Sequence, residues 1–251
     1  MDPKLRPVNS GSLLAKAALS AVLQSSAAKR AFERIGPQQM SLGVPRGIER
    51  LIHTCRAAYD DGWLVGRNDY QNAFNTLSRQ KMLDAHAAIF PEAVSVFSLL
   101  YGVDAPVVVL DDDLKETVIW SEEGPRQGCA AGTYLFCAGS APLVSKLQMR
   151  YPEFSFLVLT DDINILVRPP ITGSVLDWQS LYVRYAAFLA DLRSLSCEVA
   201  GLVLNAGKCG LLIPAGAPLP TDEVRALFPA GFDFQVDVFV LLVVLLELVL
   251  L

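Results

Sequence analysis

The apolar positions of this chain recur in two rhythms, and each change of rhythm marks a change of element. Between residues 11 and 34, Leu13, Leu14, Ala17, Ala18, Ala21 and Val22 fall at helical spacing with polar residues between them, which predicts a helix. "GPQQMSLGVPRG" (36–47) reads as a loop, and "IERLIHTCRAAYDDG" as a second amphipathic helix ending at Gly62. "WLVGRNDY" predicts a strand and "NTLSRQKMLDAHAAIF" a helix, and Pro91 opens another helix that runs through Tyr101. "PVVVLDDDLKETVIW" (106–120) gives two β-rich runs joined by an acidic turn. "GPRQGCAAGTYLF" is a glycine-punctuated turn opening a long helix to about Tyr151. A hairpin follows, then a helix from about Val175 to Ala200, then a short strand pair, "GLVLN" and "GLLIP". No segment repeats. Helices dominate early and strands mix with helices later, an order that predicts an α+β fold.

The hairpin, "FSFLVLTDDINILV" (154–167), sets Asp161 and Asp162 between two apolar runs. Aspartate is common where a hairpin reverses. Carboxylate oxygens at a hairpin tip also suit a hard divalent cation. The pattern by itself leaves both readings open. Asp111, Asp112 and Asp113 read as a solvated hairpin tip. Asp69, in "GRNDYQNAFN", is different: it ends an apolar strand and stands just before a helix. Beside the hairpin, it would bring three carboxylates together, and such a cluster repels itself unless a cation neutralises it.

Composition narrows the classes. The 251 residues are 52% hydrophobic and 19% charged, enough apolar surface for a sizeable core and too little charge for a disordered chain. The net charge of −5 counts against a simple nucleic-acid-binding module. Residues 1–60 nevertheless carry 9 Lys and Arg against 4 Asp and Glu, in front of an acidic body. Five cysteines without CxxC spacing and two unpaired histidines argue against structural zinc and for reduced thiols in an intracellular compartment. The run 238–251 is 14 residues long with Glu247 inside it, short of the ~20 that span a bilayer. It reads as a degenerate or truncated tail (236–251), with no stable membrane association expected.

Five segments together resemble one family. "DYQNAFN" resembles the first catalytic motif of the reverse transcriptases carried by non-LTR retrotransposons, and "EEGPRQGCAAGTYLF" the second, a Gln-Gly turn leading into a helix. "LTDDINIL" is similar to the third, the aspartate-pair hairpin, and "GLVLNAGKCGLLI" to the segment that follows it. "KLRPVNSGSLLAK" resembles the fingers segment, in which Arg-Pro precedes a helix. All five occur in family order. The resemblance implies a right-hand polymerase core over about 1–235, with a small antiparallel sheet packed on helices. Fingers would take about 1–50 and 78–124, and palm about 51–77 and 125–215.

The activity implied is RNA-directed DNA synthesis, in which two Mg2+ ions (or Mn2+) assist attack of a primer 3′-hydroxyl on a dNTP. Asp69 and Asp161 would be the main metal ligands, with Asp162 contributing less directly. Tyr70 would line the substrate, and the backbone N–H groups after Asp69 would approach its triphosphate. Phe74 stands where the family has an aromatic that clashes with a 2′-hydroxyl. Gln127 and Gly128 would lie against the nascent base pair and template, Arg6 would clamp the triphosphate, and Lys208 would donate to the departing pyrophosphate. The implied partners are an RNA or DNA template-primer and dNTPs. Two departures stand out: Leu159 where the family usually has an aromatic, and Cys129-Ala130 where it commonly has Asp-Pro. Three alternatives remain open from sequence: an inactive retroelement remnant, a nucleotide cyclase with a similar palm, and an interaction protein held at a membrane surface.

Overall fold

The computed structural model describes residues 12–110, 115–172 and 175–236. Arg6, Asp111, Asp112, Asp113 and the tail from 237 onward lie outside the described residues.

The helical run near the start is two helices, α1 (Leu13–Gln24) and α2 (Ser26–Ile35). Ser25 divides them: its backbone is extended (ψ 157°), and its hydroxyl accepts from Ala28 N at 3.1 Å, capping α2. Leu13 and Leu14 are exposed, so the apolar spacing read there does not mark a buried face. Then come α3 (Gly47–Asp60), β1 (Leu64–Asn68), α4 (Ala73–Thr76), α5 (Arg79–Ile89) and, after a 3-10 turn at Pro91–Ala93, α6 (Val94–Tyr101). β2 (Ala105–Leu110) and β3 (Glu116–Ser121) pair as expected, and α7 (Gly132–Arg150) follows the glycine turn with Pro142 inside it.

β4 (Ser155–Leu159) and β5 (Asp162–Val167) form the aspartate hairpin, and β6 (Ile171–Thr172) pairs with β7 (Val175–Leu176). The next helix therefore starts later than its periodicity suggested. α8 (Trp178–Leu195) is capped by Asp177, whose carboxylate accepts from Ser180 N at 3.0 Å, and a π-helical turn (Ser196–Ala200) ends it. "GLVLN" is not a strand: it makes one isolated bridge, Leu204 with Tyr70, while β8 (Gly210–Leu212) joins the main sheet. α9 (Asp222–Arg225) and β9 (Asp233–Gln235) complete the described elements.

Backbone contacts divide the chain into two compact units: residues 1–37, 72–143 and 197–202, and residues 38–71, 144–196 and 203–251. The second unit is built on a five-stranded sheet of order β4-β5-β1-β8-β9, antiparallel except for the β8–β9 pair. One face packs on α3, whose Leu51, Cys55, Ala58 and Tyr59 repeat at the i, i+4, i+7, i+8 spacing of a single stripe. They meet Val65, Leu157, Leu166 and Leu212 from four strands, with Leu159 packed at the margin. The other face packs on α8, where Tyr185 and Phe188 meet Phe154 and Phe156. Burial on both faces explains why β5 reads as a continuous apolar run.

The first unit has an aromatic core around His86, which is buried among Phe90, Phe97 and Tyr134. His86 Nδ1 lies 2.8 Å from the Tyr134 hydroxyl. Arg79, also buried, donates to Ser121 Oγ at 2.9 Å and to Glu123 O at 2.9 Å, tying α5 to the turn that leads toward Gln127.

The five cysteines, all among the described residues, are not joined in disulfides. Burial pushes Cys55 up to about 12 and Cys209 to about 11, whereas Cys197 is exposed. Since the thiolate is the nucleophile, native alkylation at pH 8 should mark Cys197 first and Cys129 more slowly. Cys55, Cys137 and Cys209 should react only after unfolding, which peptide mass mapping would read. Early label on Cys55 would contradict the packing of α3.

Candidate active site

Antiparallel register places the acids. β1 pairs with β5 from Leu64↔Val167 to Asn68↔Ile163, so one further step sets Asp69 level with Asp162. On β1 the side chains of Val65, Arg67 and Asp69 share one face by strand alternation. Asn68 points the other way, is fully buried, and donates through Nδ2 to Ile163 O at 3.1 Å and to the Tyr185 hydroxyl at 3.2 Å. That pair of bonds anchors the end of β1 to β5 and to α8, immediately before Asp69.

The β4–β5 turn is tight. Leu159 faces Asp162, leaving Thr160 and Asp161 as the two residues of the turn. Thr160 has φ +55°, a left-handed conformation uncommon for a β-branched residue. Such conformations cost on the order of 1–3 kcal/mol and persist where surrounding structure holds them.

The three carboxylates interact. Asp162 is half-buried, and its carboxyl is pushed up to about 7, first by burial and then by the charges of Asp161 and Asp69. Arg67 and Lys208 oppose that rise. Lys208 Nζ stands 3.4 Å from Asp69 Oδ2, and Asn205 Nδ2 donates to the same oxygen at 3.3 Å. Asn205 N also donates to Asp69 O at 2.8 Å, and Arg67 Nε donates to Lys208 O at 3.2 Å. A 3-10 turn, Ala206–Lys208, thus brings a cation and an amide onto Asp69.

Among the described residues, no three His, Cys, Asp or Glu side chains stand close enough together to grip a metal ion. The donor chemistry fits a hard divalent cation nonetheless: oxygen ligands only, from carboxylates whose mutual repulsion a cation would relieve.

Other expected site residues lie differently. Tyr70 is buried, its hydroxyl 2.8 Å from Ser196 Oγ. Gln71 N donates to Val203 O at 2.8 Å, so this amide after Asp69 is already engaged within the protein. Phe74, Gln127 and Gly128 belong to the first unit. Phe74 is half-buried and stacks on Phe136 with centroids 4.9 Å apart. Gly128 has φ +84°, and Cys129 N donates back to Arg126 O at 3.1 Å, a turn that glycine permits. Sequence reading assigned no role to Arg67 or Asn205. Asn205 could have been found from its place three residues before Lys208 in one turn, whereas nothing local marks Arg67.

The sheet carries an aspartate at one strand end and an aspartate pair at the neighbouring hairpin, and the comparisons give its class: the chain is a reverse-transcriptase-like domain. It is 30% identical over 212 residues to the retrotransposable element SLACS 132 kDa protein of Trypanosoma brucei gambiense. That alignment takes in 83% of this chain and 16% of the relative, so the chain spans about a sixth of the relative's length. Among solved structures, apo telomerase from Candida tropicalis truncated from its C-terminal domain matches with a TM-score of 0.56 at 14% identity, over 82% of this chain and 42% of that one. Telomerase from Candida albicans in complex with a TWJ fragment of telomeric RNA matches with a TM-score of 0.52 at 10% identity, over 82% and 35%. At these identities the structural likeness concerns the fold alone. No family model matches the chain.

Proposed function

We propose that this chain carries out template-directed DNA synthesis, joining dNTPs to a primer 3′-hydroxyl on an RNA or DNA template. The observation that carries the reading is the register that sets Asp69 level with Asp162, next to Asp161 in the hairpin turn, at one sheet end of a reverse-transcriptase-like domain. Asp69 and Asp161 would hold the ions, with Asp162 beside them. Magnesium, or manganese in its place, would when bound lower the pKa of the attacking hydroxyl and stabilise charge at the leaving pyrophosphate. Lys208, with its ammonium against Asp69, supports a role as donor to that pyrophosphate. We read the unit containing the three acids as a palm and the other unit as fingers, which differs from the bounds the resemblance implies in setting 38–50 with the palm and 72–77, 125–143 and 197–202 with the fingers. By the resemblance, Arg6 clamps the triphosphate, and Gln127 with Gly128 meets the base pair and template.

Extension of a labelled primer on an RNA template, with dNTPs and magnesium, tests the reading. Products of template-defined length are expected from the wild type and not from Asp161→Asn. Folded wild type that extends no better than the variant would overturn it. A second reading, a palm fold without turnover, draws on the absence of a closed three-ligand group among the described residues and on Leu159, which packs at the margin of the α3 core. Failure to extend combined with failure to bind manganese would favour that reading.

Sugar selection gives a separate check. Five residues after Asp69, Phe74 takes the role of blocking a 2′-hydroxyl. Phe74→Val should raise ribonucleotide incorporation relative to deoxyribonucleotide by ~10-fold or more, because discrimination there depends on a steric clash. Unchanged discrimination in single-nucleotide extension would leave Phe74 with only its stacking on Phe136.

A further inference from the structure

We propose that Gln39 is a positioning residue that holds the aspartate hairpin in its strained turn from outside the hairpin. The inference rests on the nucleotidyl-transfer reading for its functional part. Residues 38–41 run beside β4: Gln39 bridges Val158 in parallel, Met40 N donates to Val158 O at 2.8 Å, and Val158 N donates to Gln38 O at 2.8 Å. This brings the buried Gln39 side chain under the turn. Its Oε1 accepts from Ser41 N at 2.9 Å and from Thr160 N at 3.3 Å. Ser41 Oγ lies 2.8 Å from Thr160 Oγ1, a second tie to the same residue.

Two-residue hairpin turns prefer glycine, asparagine or aspartate where φ is positive, and this chain places threonine at φ +55° instead. A β-branched residue does not hold that conformation unaided. The two bonds from a segment about 120 residues away in sequence supply the support, and they fix the direction in which the next residue, Asp161, leaves the turn. A catalytic carboxylate must be held close to its productive geometry by supports of this kind.

The test compares wild type, Gln39→Leu, Gln39→Glu and the double variant Gln39→Leu/Thr160→Gly in the full chain. Leucine removes the acceptor, glutamate keeps it, and glycine accepts a positive φ without help. The first readout is amide hydrogen exchange by NMR. Gln39→Leu should reduce protection of the Thr160 amide by ~10-fold or more, leaving Leu157 and Ile165 unchanged. The second is manganese affinity by calorimetry. Gln39→Leu should weaken it ~10-fold, as loss of an outer-shell partner does, with recovery in Gln39→Glu and in the double variant. Unchanged Thr160 protection, or a loss spread evenly over β4 and β5, overturns the proposal. Lost protection with wild-type affinity overturns its functional part. Wild type that binds no manganese sinks the nucleotidyl-transfer reading instead, and the exchange data still decide whether Gln39 holds the turn.

Discussion

Asparagine at position 161 should reduce manganese affinity by more than ~10²-fold and remove primer extension. Outer-shell partners of metal ligands are worth ~10- to 100-fold in affinity or activity, and a direct ligand is worth more. The substitution keeps the size of the native residue but removes one of the hairpin's two carboxylates. Its effect on stability should have the opposite sign. Asp161 is one of the two charges that raise the Asp162 carboxyl, so removing it relieves repulsion in the metal-free chain. The variant should therefore melt at or above the wild-type temperature without metal, and show little of the wild type's gain on adding manganese. Calorimetric titration and thermal unfolding with and without manganese read both effects. A variant that loses stability without metal and keeps its manganese response would refute the three-carboxylate site.

Valine at position 66 should prevent the chain from folding stably at 37 °C. A Cβ at Gly66 would stand 1.9 Å from the Tyr185 hydroxyl oxygen and 2.5 Å from the ring carbon that carries it. Tyr185 cannot retreat: it is fully buried, with Phe188 at 5.4 Å and Phe154 at 6.1 Å between ring centroids. Overpacking a filled core costs about 1–3 kcal/mol. Displacing the tyrosine hydroxyl also breaks its bond with the buried Asn68 amide, at a further ~1–3 kcal/mol. Against a typical total of about 5–15 kcal/mol, even Gly66→Ala should shift the urea midpoint clearly, and valine more. An alanine variant within about 0.5 kcal/mol of wild type, the range of ordinary surface changes, would mean that the sheet and α8 do not approach this closely. The link to the proposed site is direct, because Asn68 anchors the strand end that presents Asp69.

Much of the architecture was legible in the residues. The α3 stripe, the apolar strand before Asp69, the β2–β3 runs and the aspartate hairpin all follow from local periodicity, which the backbone geometry of helix and strand imposes on neighbouring positions. The ordered set of motifs likewise pointed to a reverse-transcriptase-like α+β domain, and the comparisons bear that out. Some local signals were present and misread. Ser25 is a capping residue inside an apolar rhythm, and Asp177 is another, three residues into an expected helix.

The rest depends on contacts that no window of sequence contains. Nothing near Leu13 and Leu14 says that their stripe stays exposed, because exposure is set by what packs against it. Tyr70 is buried through Ser196, and the amide after it is engaged by Val203, partners about 130 residues away. The support of Thr160 by Gln39 is of the same kind. By itself, the sequence determined which residues are candidates for the proposed chemistry and which elements bear them, since both are written in residue type and spacing. The tertiary structure alone decided which of those groups face one another, because long-range pairing follows from strand register and packing, and these are settled only when distant segments meet.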